Sequence, residues 1–366
     1  MNVWQGKMKV GLFLHRYFPF GGQQRDFVGI AQALLDQGAE VEVFLQELTE
    51  ELPLKNVMVH KIHCPGWTNA GRAKQFARRA LRLSEERKIQ IRLGFVKMGG
   101  LDFYFCADGC LKSRCESWIK KLLPRYRTYL SLEAGVFDNP HTVCFGLTTR
   151  QIEDYKQAYG VSEERFVLVK PNLRKEFRQC VRSEQCINEH RLLFVASNLR
   201  LKGLDRVLHA CSLAHLVGDK KKILTVAGSK ECEFPFLKEA RAKGWKVQFL
   251  GPVKALREIY AEATLLVHPA RKEAGGLVLL EALSQGLPVI ASEECGYAQY
   301  VAEAKAGEIV PNTDDPKELV RVLEAMLNSE GRLSECSRNA RDFMTSGSFY
   351  SSHHDIARTL LQGERV

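Results

Sequence analysis

What this sequence of 366 residues lacks removes several functions before any motif is read. It has no G-x-G anywhere, so it has no glycine turn of the kind that seats a dinucleotide behind a first strand. Its nearest approach to a P-loop, Gly66-Trp67-Thr68-Asn69-Ala70-Gly71-Arg72-Ala73, has neither the lysine nor the hydroxyl that grip a triphosphate. It has no D-x-D, the carboxylate pair with which many enzymes hold a divalent ion on a diphosphate. Its longest apolar runs, such as Val41 to Leu45 and Leu265 to Val267, are the length of strands, so no bilayer-crossing helix is expected. Met1 to Lys7 is too short and polar for a secretory leader, and Met8-Lys9-Val10-Gly11 reads as the start of a first strand. Repeats of fixed period and low-complexity segments are absent. The 11 cysteines are odd in number and scattered from Cys64 to Cys336, which points to reduced thiols and a cytoplasmic protein. Cys106, Cys110 and Cys115 are spaced by four and five, which matches no common zinc pattern, and no metal site is expected.

What is present is 45% apolar, enough for two ordinary cores, with a formal net charge of +10. The charge is uneven. Residues 1–170 carry 25 Lys and Arg against 18 Asp and Glu, the remainder 28 against 25, and Arg72 to Arg127 alone holds 15 basic and 5 acidic residues. Such a patch attracts polyanions, and charge alone does not separate nucleic acid from phospholipid headgroups or phosphorylated glycans.

The pattern of apolar segments is α/β. A strand at Val10 to Leu14, a turn at Gly21-Gly22, a helix at Phe27 to Gln37 and a strand at Val41 to Leu45 make one βαβ unit. A second series begins at Leu192 to Ala196 and continues with a helix at Leu204 to Val217 and a strand at Ile223 to Ala227. A helix at Phe236 to Lys243, a strand at Val247 to Leu250, a helix at Val253 to Ala263 and strands at Ala263 to His268 and Pro288 to Ala291 follow. The polar stretch Asn172 to His190 separates the two series, so two Rossmann-like domains facing across a cleft are predicted. The boundary is placed near Lys170: an N-terminal domain at 1–170, a C-terminal domain at 171–345, and a last segment, 346–366, that packs back on the first domain.

The most informative stretch runs from Arg271 to Leu283. Glu273 and Glu281 flank Gly275-Gly276, and the glycines let backbone N–H groups approach a ligand at the opening of an apolar helix whose dipole points the same way. A diphosphate fits there. Glu281, one turn inside that helix, needs donors such as the two hydroxyls of a ribose; a buried carboxylate bonded to a neighbouring strand or to an Arg is the plainer reading. Glu273 fits hydroxyls of a transferred sugar. Without a metal, charge neutralisation falls to Lys202, Arg200 and backbone amides. His268-Pro269 ends a strand beside this loop, where the imidazole either lines the site or is a satisfied structural histidine.

Glu273 to Glu281 matches the E-x7-E motif of the retaining glycosyltransferases of the GT4 family, which have the GT-B fold. Tyr17-Phe18-Pro19-Phe20-Gly21-Gly22-Gln23-Gln24-Arg25-Asp26-Phe27, Lys97 to Asp102, Phe105 to Asp108 and Cys295-Gly296-Tyr297-Ala298 resemble, more narrowly, the glucosyltransferases acting on heptose I of the lipopolysaccharide core. The resemblance spans nearly the whole chain. It implies a hexosyltransferase, retaining and metal-independent, moving glucose from a UDP-sugar to inner-core heptose on a lipid-anchored glycan, with the donor as substrate and no cofactor. Gly21 and Gly22 would touch the donor diphosphate and Asp26 would lie near the acceptor. Asp108 would take the place of a histidine found in many relatives, Lys202 would neutralise the diphosphate, and Glu273 and Glu281 would bind sugar and ribose. Gly275, Gly276, Leu277 and Val278 would form the turn around the donor. Most relatives carry Gly-Arg at the end of the second domain's first strand, whereas here the positions read Ala196-Ser197 and Leu201 precedes Lys202, which leaves Arg200 as the replacement cation.

Plainer readings stand beside these. Gly21-Gly22 serves equally as a strand-to-helix turn, Lys202-Gly203 as a helix entry, and Asp108 as the cap of a helix beginning at Gly109. The segment 110–133 interleaves Lys112, Arg114, Lys120, Lys121, Arg125 and Arg127 with Leu111, Trp118, Ile119, Leu122, Leu123, Tyr126, Tyr129 and Leu130, broken by Pro124. Basic with aromatic residues points to an anionic membrane surface, which the resemblance implies is the inner face of the inner membrane; the alternative is a solvated helix whose apolar residues face the core. Another glycolipid or polysaccharide acceptor with a different UDP-sugar is the competing function. A polyanion-binding module for nucleic acid is the more remote one, since it leaves Glu273, the glycines and Glu281 unexplained.

Overall fold

The first strand, β1 (Lys9–Tyr17), is buried on both faces from Val10 to Leu14. That is the pattern of a central strand in a parallel sheet covered on both sides. Beside it run β2 (Glu40–Leu48), β3 (Met58–Lys61), β4 (Ile91–Gly94), β5 (Phe103–Phe105), β6 (Val143–Gly146) and β7 (Phe166–Leu168), all parallel, in the order β3-β2-β1-β4-β5-β6-β7. The computed structural model describes residues 7–19, 21–114, 122–180, 189–253, 255–346, 349 and 352–363.

Alternation along β1 sorts the core into two layers. Val10, Leu12 and Leu14 pack with Phe27, Ile30 and Leu34 of the helix Gly22–Asp36 and with Ile356 and Leu360 of the helix Ser352–Gln362. Phe13 faces the other way and stacks on Phe44 at 4.8 Å, above Phe76 and Ala80 of the helix Asn69–Glu86. The last helix therefore belongs with the N-terminal sheet: the chain divides into Met1–Asn172 with Ser351–Val366, and Leu173–Tyr350. Gly29 makes the close approach possible, since a Cβ there would lie 2.1 Å from Nδ1 of His353.

The second unit repeats the scheme. β8 (Glu189–Val195), β9 (Lys221–Ala227), β10 (Trp245–Gly251), β11 (Leu265–His268), β12 (Val289–Ser292) and β13 (Gly307–Val310) are parallel in the order β10-β9-β8-β11-β12-β13. Both sheets reverse direction of winding beside their first strand, between β1 and β4 and between β8 and β11. Loops leaving the carboxyl ends of those strands are where open α/β sheets bind ligands.

Several sequence expectations shift. The helix expected to reach Val217 ends at Leu213, because the amides of His215 and Val217 are taken by Glu324 Oε1 at 2.7 Å and Asn328 Oδ1 at 2.9 Å. β5 stops at Phe105, so Asp108 lies in the loop beyond the strand rather than in it. Pro124 starts the helix Pro124–Asp138 at its first turn, where its missing N–H costs nothing.

Candidate functional site

In the second unit the loop after β8 ends at Gly203, whose φ of +83° and approach to the Pro269 carbonyl, 2.3 Å from where a Cβ would be, exclude other residues. The preceding residue, Lys202, is thereby delivered to the loop after β11. Its Nζ forms an ion pair with Glu273 and contacts the Lys272 carbonyl at 3.3 Å. Burial pushes the Glu273 carboxyl up, but His268 and Lys202 outweigh it and hold the group below its ordinary value.

The Glu273 loop is fixed from behind. Its backbone pairs with Cys295, the Gly296 amide donates to the Glu273 carbonyl at 3.0 Å, and the Tyr297 amide to the Gly275 carbonyl at 2.8 Å. A Cβ at Gly275 would sit 2.9 Å from the Tyr297 ring, and Gly276 has φ +104°. The helix Leu277–Ser284 follows directly, with no side chain capping its first turn. Gly275, Gly276, Leu277 and Val278 thus lead into an uncapped, electropositive helix end beside the Lys202–Glu273 pair, the arrangement that accepts an anionic oxygen.

Glu281, 4% exposed, sits one turn further in. Tyr260 donates to Oε2 at 3.0 Å and Arg174 Nη2 stands 3.4 Å from Oε1. Arg174 in turn stacks over Phe177 at 4.9 Å, whose ring meets Tyr260 edge-on at 5.7 Å. A buried carboxylate paired with an arginine is what the plainer reading anticipated. Arg174 and Tyr260 were missed from sequence because they lie 107 and 21 residues from Glu281. Arg200 is exposed, and its carbonyl, not its guanidinium, is what the structure ties down.

In the first unit Gly21 caps the helix Gly22–Asp36 without a side-chain bond, and a Cβ added at Gly22 would meet nothing within 4 Å. Asp26, one turn on, bonds His353 Nε2 at 3.1 Å, so the expected acceptor-side carboxylate is held by the last helix. Asp108 projects from its loop with an exposed side chain, while its carbonyl accepts from Tyr155 Oη at 3.1 Å and Gln151 Nε2 at 3.2 Å. It caps no helix at Gly109. The short helix Leu111–Arg114 is capped by Glu133, a fully buried carboxylate accepting from the amides of Leu111 at 2.7 Å and Lys112 at 2.9 Å. Lys97 at 2.6 Å and Tyr159 at 2.7 Å complete that node, which has no motif to betray it.

Of the basic segment, Trp118, Ile119, Lys120 and Lys121 lie outside the described residues. Leu122, Leu123, Arg125 and Arg127 are exposed, and Lys112 stands over the Tyr159 ring at 4.6 Å. No helix among the described residues is long and apolar enough to cross a membrane. Among the same residues no cluster of His, Cys, Asp and Glu has the geometry of a metal site.

Residues 182–343 match the model of the glycosyl transferases group 1. The chain is also 32% identical to the lipopolysaccharide glucosyltransferase WaaG of Escherichia coli (strain K12), over 97% of this chain and 99% of that one. The protein belongs to the group 1 glycosyltransferases. The crystal structure of WaaG, a glycosyltransferase involved in lipopolysaccharide biosynthesis, superposes on this glycosyltransferase with TM-score 0.83 at 30% identity, covering 96% and 99% of the two chains. Anabaena Alr3699/HepE, solved in complex with UDP and glucose, shares the fold at TM-score 0.70 and 16% identity, over 97% of this chain and all of that one. The two Rossmann-like domains of this glycosyltransferase are those of the GT-B fold.

Proposed function

We propose that this glycosyltransferase moves glucose from UDP-glucose to inner-core heptose of lipopolysaccharide, with retention of configuration and without a metal. The observation that carries the reading is the Lys202–Glu273 pair at the mouth of the uncapped helix that begins at Leu277. A lysine and oriented amides neutralise a departing diphosphate without a metal ion, and a half-buried carboxylate kept ionised accepts hydrogen bonds from sugar hydroxyls. Lys202 then turns from Glu273 to the diphosphate, Arg200 adds charge from the same loop, and Glu281 takes the ribose. The acceptor hydroxyl attacks the anomeric carbon on the face the diphosphate leaves. The new C–O bond forms as the bond to phosphate breaks, and the hydroxyl proton passes to a phosphate oxygen. Catalysis is positioning and electrostatic stabilisation. Asp108 and Asp26 stand on the acceptor side. The alignment over almost the full length of both chains with the enzyme named lipopolysaccharide glucosyltransferase supports the choice of acceptor.

The exposed Leu122, Leu123, Arg125 and Arg127, with Lys112, favour an anionic membrane as the place of work, at the cytoplasmic face of the inner membrane. Purified protein is incubated with truncated lipopolysaccharide ending at heptose and, in turn, UDP-glucose, UDP-galactose and their N-acetylated forms, with and without EDTA. The expected product carries one α-linked glucose, formed equally in EDTA. Transfer from another donor alone overturns the choice of glucose. A β-linked product overturns retention, and a strict divalent-metal requirement overturns the electrostatic scheme.

A further inference from the structure

His268 closes β11 and is 1% exposed, yet neither of its ring nitrogens has a hydrogen-bond partner among the described residues. A buried imidazole with both nitrogens unbonded loses its water and gains no hydrogen bond in return, so a phenylalanine would fill the same space at less desolvation cost. The floor beneath the ring is suited to one: Phe194 of β8 stacks on it at 6.1 Å. The backbone is pinned, since the Cys295 thiol lies 3.7 Å from the His268 carbonyl and 3.5 Å from the Ser292 hydroxyl. What the imidazole faces is Glu273, with Nε2 3.6 Å from Oε2. A shift of about 0.6 Å makes that an ordinary hydrogen bond.

Three groups able to donate or to carry charge face the Glu273 carboxylate. Lys202 holds it in the structure, the Cys295 thiol is pushed by burial up to about 11 and stays neutral, and His268 waits just beyond bonding range. Lys202 also has the one long, flexible stem among them. On the reading above it leaves Glu273 for the donor's diphosphate, which strips the carboxylate of its partner at the moment it must hold the sugar.

We propose that His268 is a positioning residue for transfer: it donates from Nε2 to Glu273 when Lys202 turns to the diphosphate, and so keeps that carboxylate aimed at the sugar hydroxyls. The unbonded imidazole is then the resting half of an exchange whose other half needs the donor. This inference rests on the donor site proposed above.

The test compares His268→Phe and His268→Gln in the full chain. His268→Phe is expected to lower kcat about 100-fold through misplacement of Glu273, with KM for UDP-glucose changed less than threefold and Tm unchanged or raised. His268→Gln retains an N–H donor at a similar reach and is expected to recover at least a tenth of wild-type kcat. Wild-type kcat in His268→Phe overturns the proposal, and so does a loss of kcat that tracks a fall in Tm and is equal in both variants. A second measurement separates this inference from the wider reading. Imidazole 15N signals of the labelled protein are recorded with and without UDP, in the wild type and in Glu273→Gln. A His268 Nε2 signal that changes on Glu273→Gln supports the pairing even if no UDP-sugar is ever turned over, in which case the donor reading fails alone. An identical signal in both proteins assigns the nitrogen to a buried water and overturns the pairing.

Discussion

Arg271 grips Asp205 at two points, Nη1 to Oδ1 at 2.8 Å and Nη2 to Oδ2 at 2.5 Å. The same guanidinium donates to the Arg200 carbonyl at 2.7 Å, and the Arg271 amide to the Leu201 carbonyl at 2.9 Å. These bonds staple residues 200–205 to the loop that carries Glu273, so Lys202 is held opposite its carboxylate from both sides. Burial pushes the Asp205 carboxyl up, and the arginine more than reverses it. A lysine cannot reproduce the fork. Because the pair is partly solvated, Arg271→Lys is expected to cost only about 1 kcal/mol of stability while raising KM for the donor about fivefold. Unchanged KM separates the staple from the donor site.

Glu281, proposed above to take the ribose, also bears structure. Glu281→Ala removes an acceptor of the buried Tyr260 hydroxyl and one of the two counter-charges of Arg174, whose other, Glu176, remains at 2.9 Å. Loss of about 3 kcal/mol is expected, alongside loss of transfer. Glu281→Gln keeps an oxygen for Tyr260 and is expected to be less than half as destabilising while still weakening donor binding. Urea unfolding of both variants checks the order; equal destabilisation contradicts the bonding described.

Gly22 separates a turn from a binding loop. A methyl group there meets no neighbour within 4 Å, and the residue opens a helix, so Gly22→Ala is expected to be neutral or stabilising by about 0.5 kcal/mol. If its amide lies against the donor diphosphate, the same methyl blocks the approach and kcat/KM falls at least tenfold. Full activity in a stable Gly22→Ala protein returns Gly21-Gly22 to a strand-to-helix turn. Gly203 offers no such separation, because its φ and the Pro269 carbonyl make any side chain disruptive to the fold.

These residues also show what could be read from sequence. Glu273, the glycine pair and the apolar helix are adjacent in the chain, so local spacing exposes them, and the long buried strands β1 and β8 announce themselves as apolar runs. β3 and β7 have no such signal, because they are four and three residues long with partly or fully exposed positions. β3 is held by contacts from elsewhere: His60 within it and Arg87 beyond the next helix both bond the buried Glu42 of β2, at 2.7 and 3.0 Å. Arg174, Tyr260 and Glu133 likewise act through partners far away in sequence, and no periodicity encodes such a meeting. Asp108 follows the apolar Phe105 and Cys106 but lies beyond the end of β5. The chain leaves the sheet at Cys106, where its amide still bonds the Phe145 carbonyl at 2.9 Å while its carbonyl is taken by Gln151 at 2.7 Å.

Leu122 and Leu123 stand 63% and 49% exposed before a helix whose first turn carries Arg125 and Arg127. If this segment meets a membrane as proposed, replacing both leucines by Ser removes its apolar contact and replacing both arginines by Gln removes attraction to headgroups. Sedimentation with vesicles rich in phosphatidylglycerol is expected to fall severalfold in each variant, with activity on a soluble acceptor retained. Binding that persists in both would leave the pair as a solvated turn.

His15 ends the buried part of β1, its ring edge-on to Phe76 at 5.0 Å and its Nδ1 buried without a hydrogen bond among the described residues. Burial lowers its pKa from the ordinary 6.5 to about 4, against a smaller upward pull from Asp108. Between those values the unfolded chain takes up the proton and the folded one does not, so stability is complete above about pH 6.5 and falls as the pH drops towards 4. The loss through this residue is of the order of 3 kcal/mol. His15→Phe keeps an aromatic ring against Phe76 and removes the proton site. Its stability is expected to fall less steeply than that of the wild type over that window, and the two to run parallel above it. Parallel curves throughout would mean that the pull of Asp108 offsets burial, so that His15 takes up its proton equally in the folded and unfolded chain.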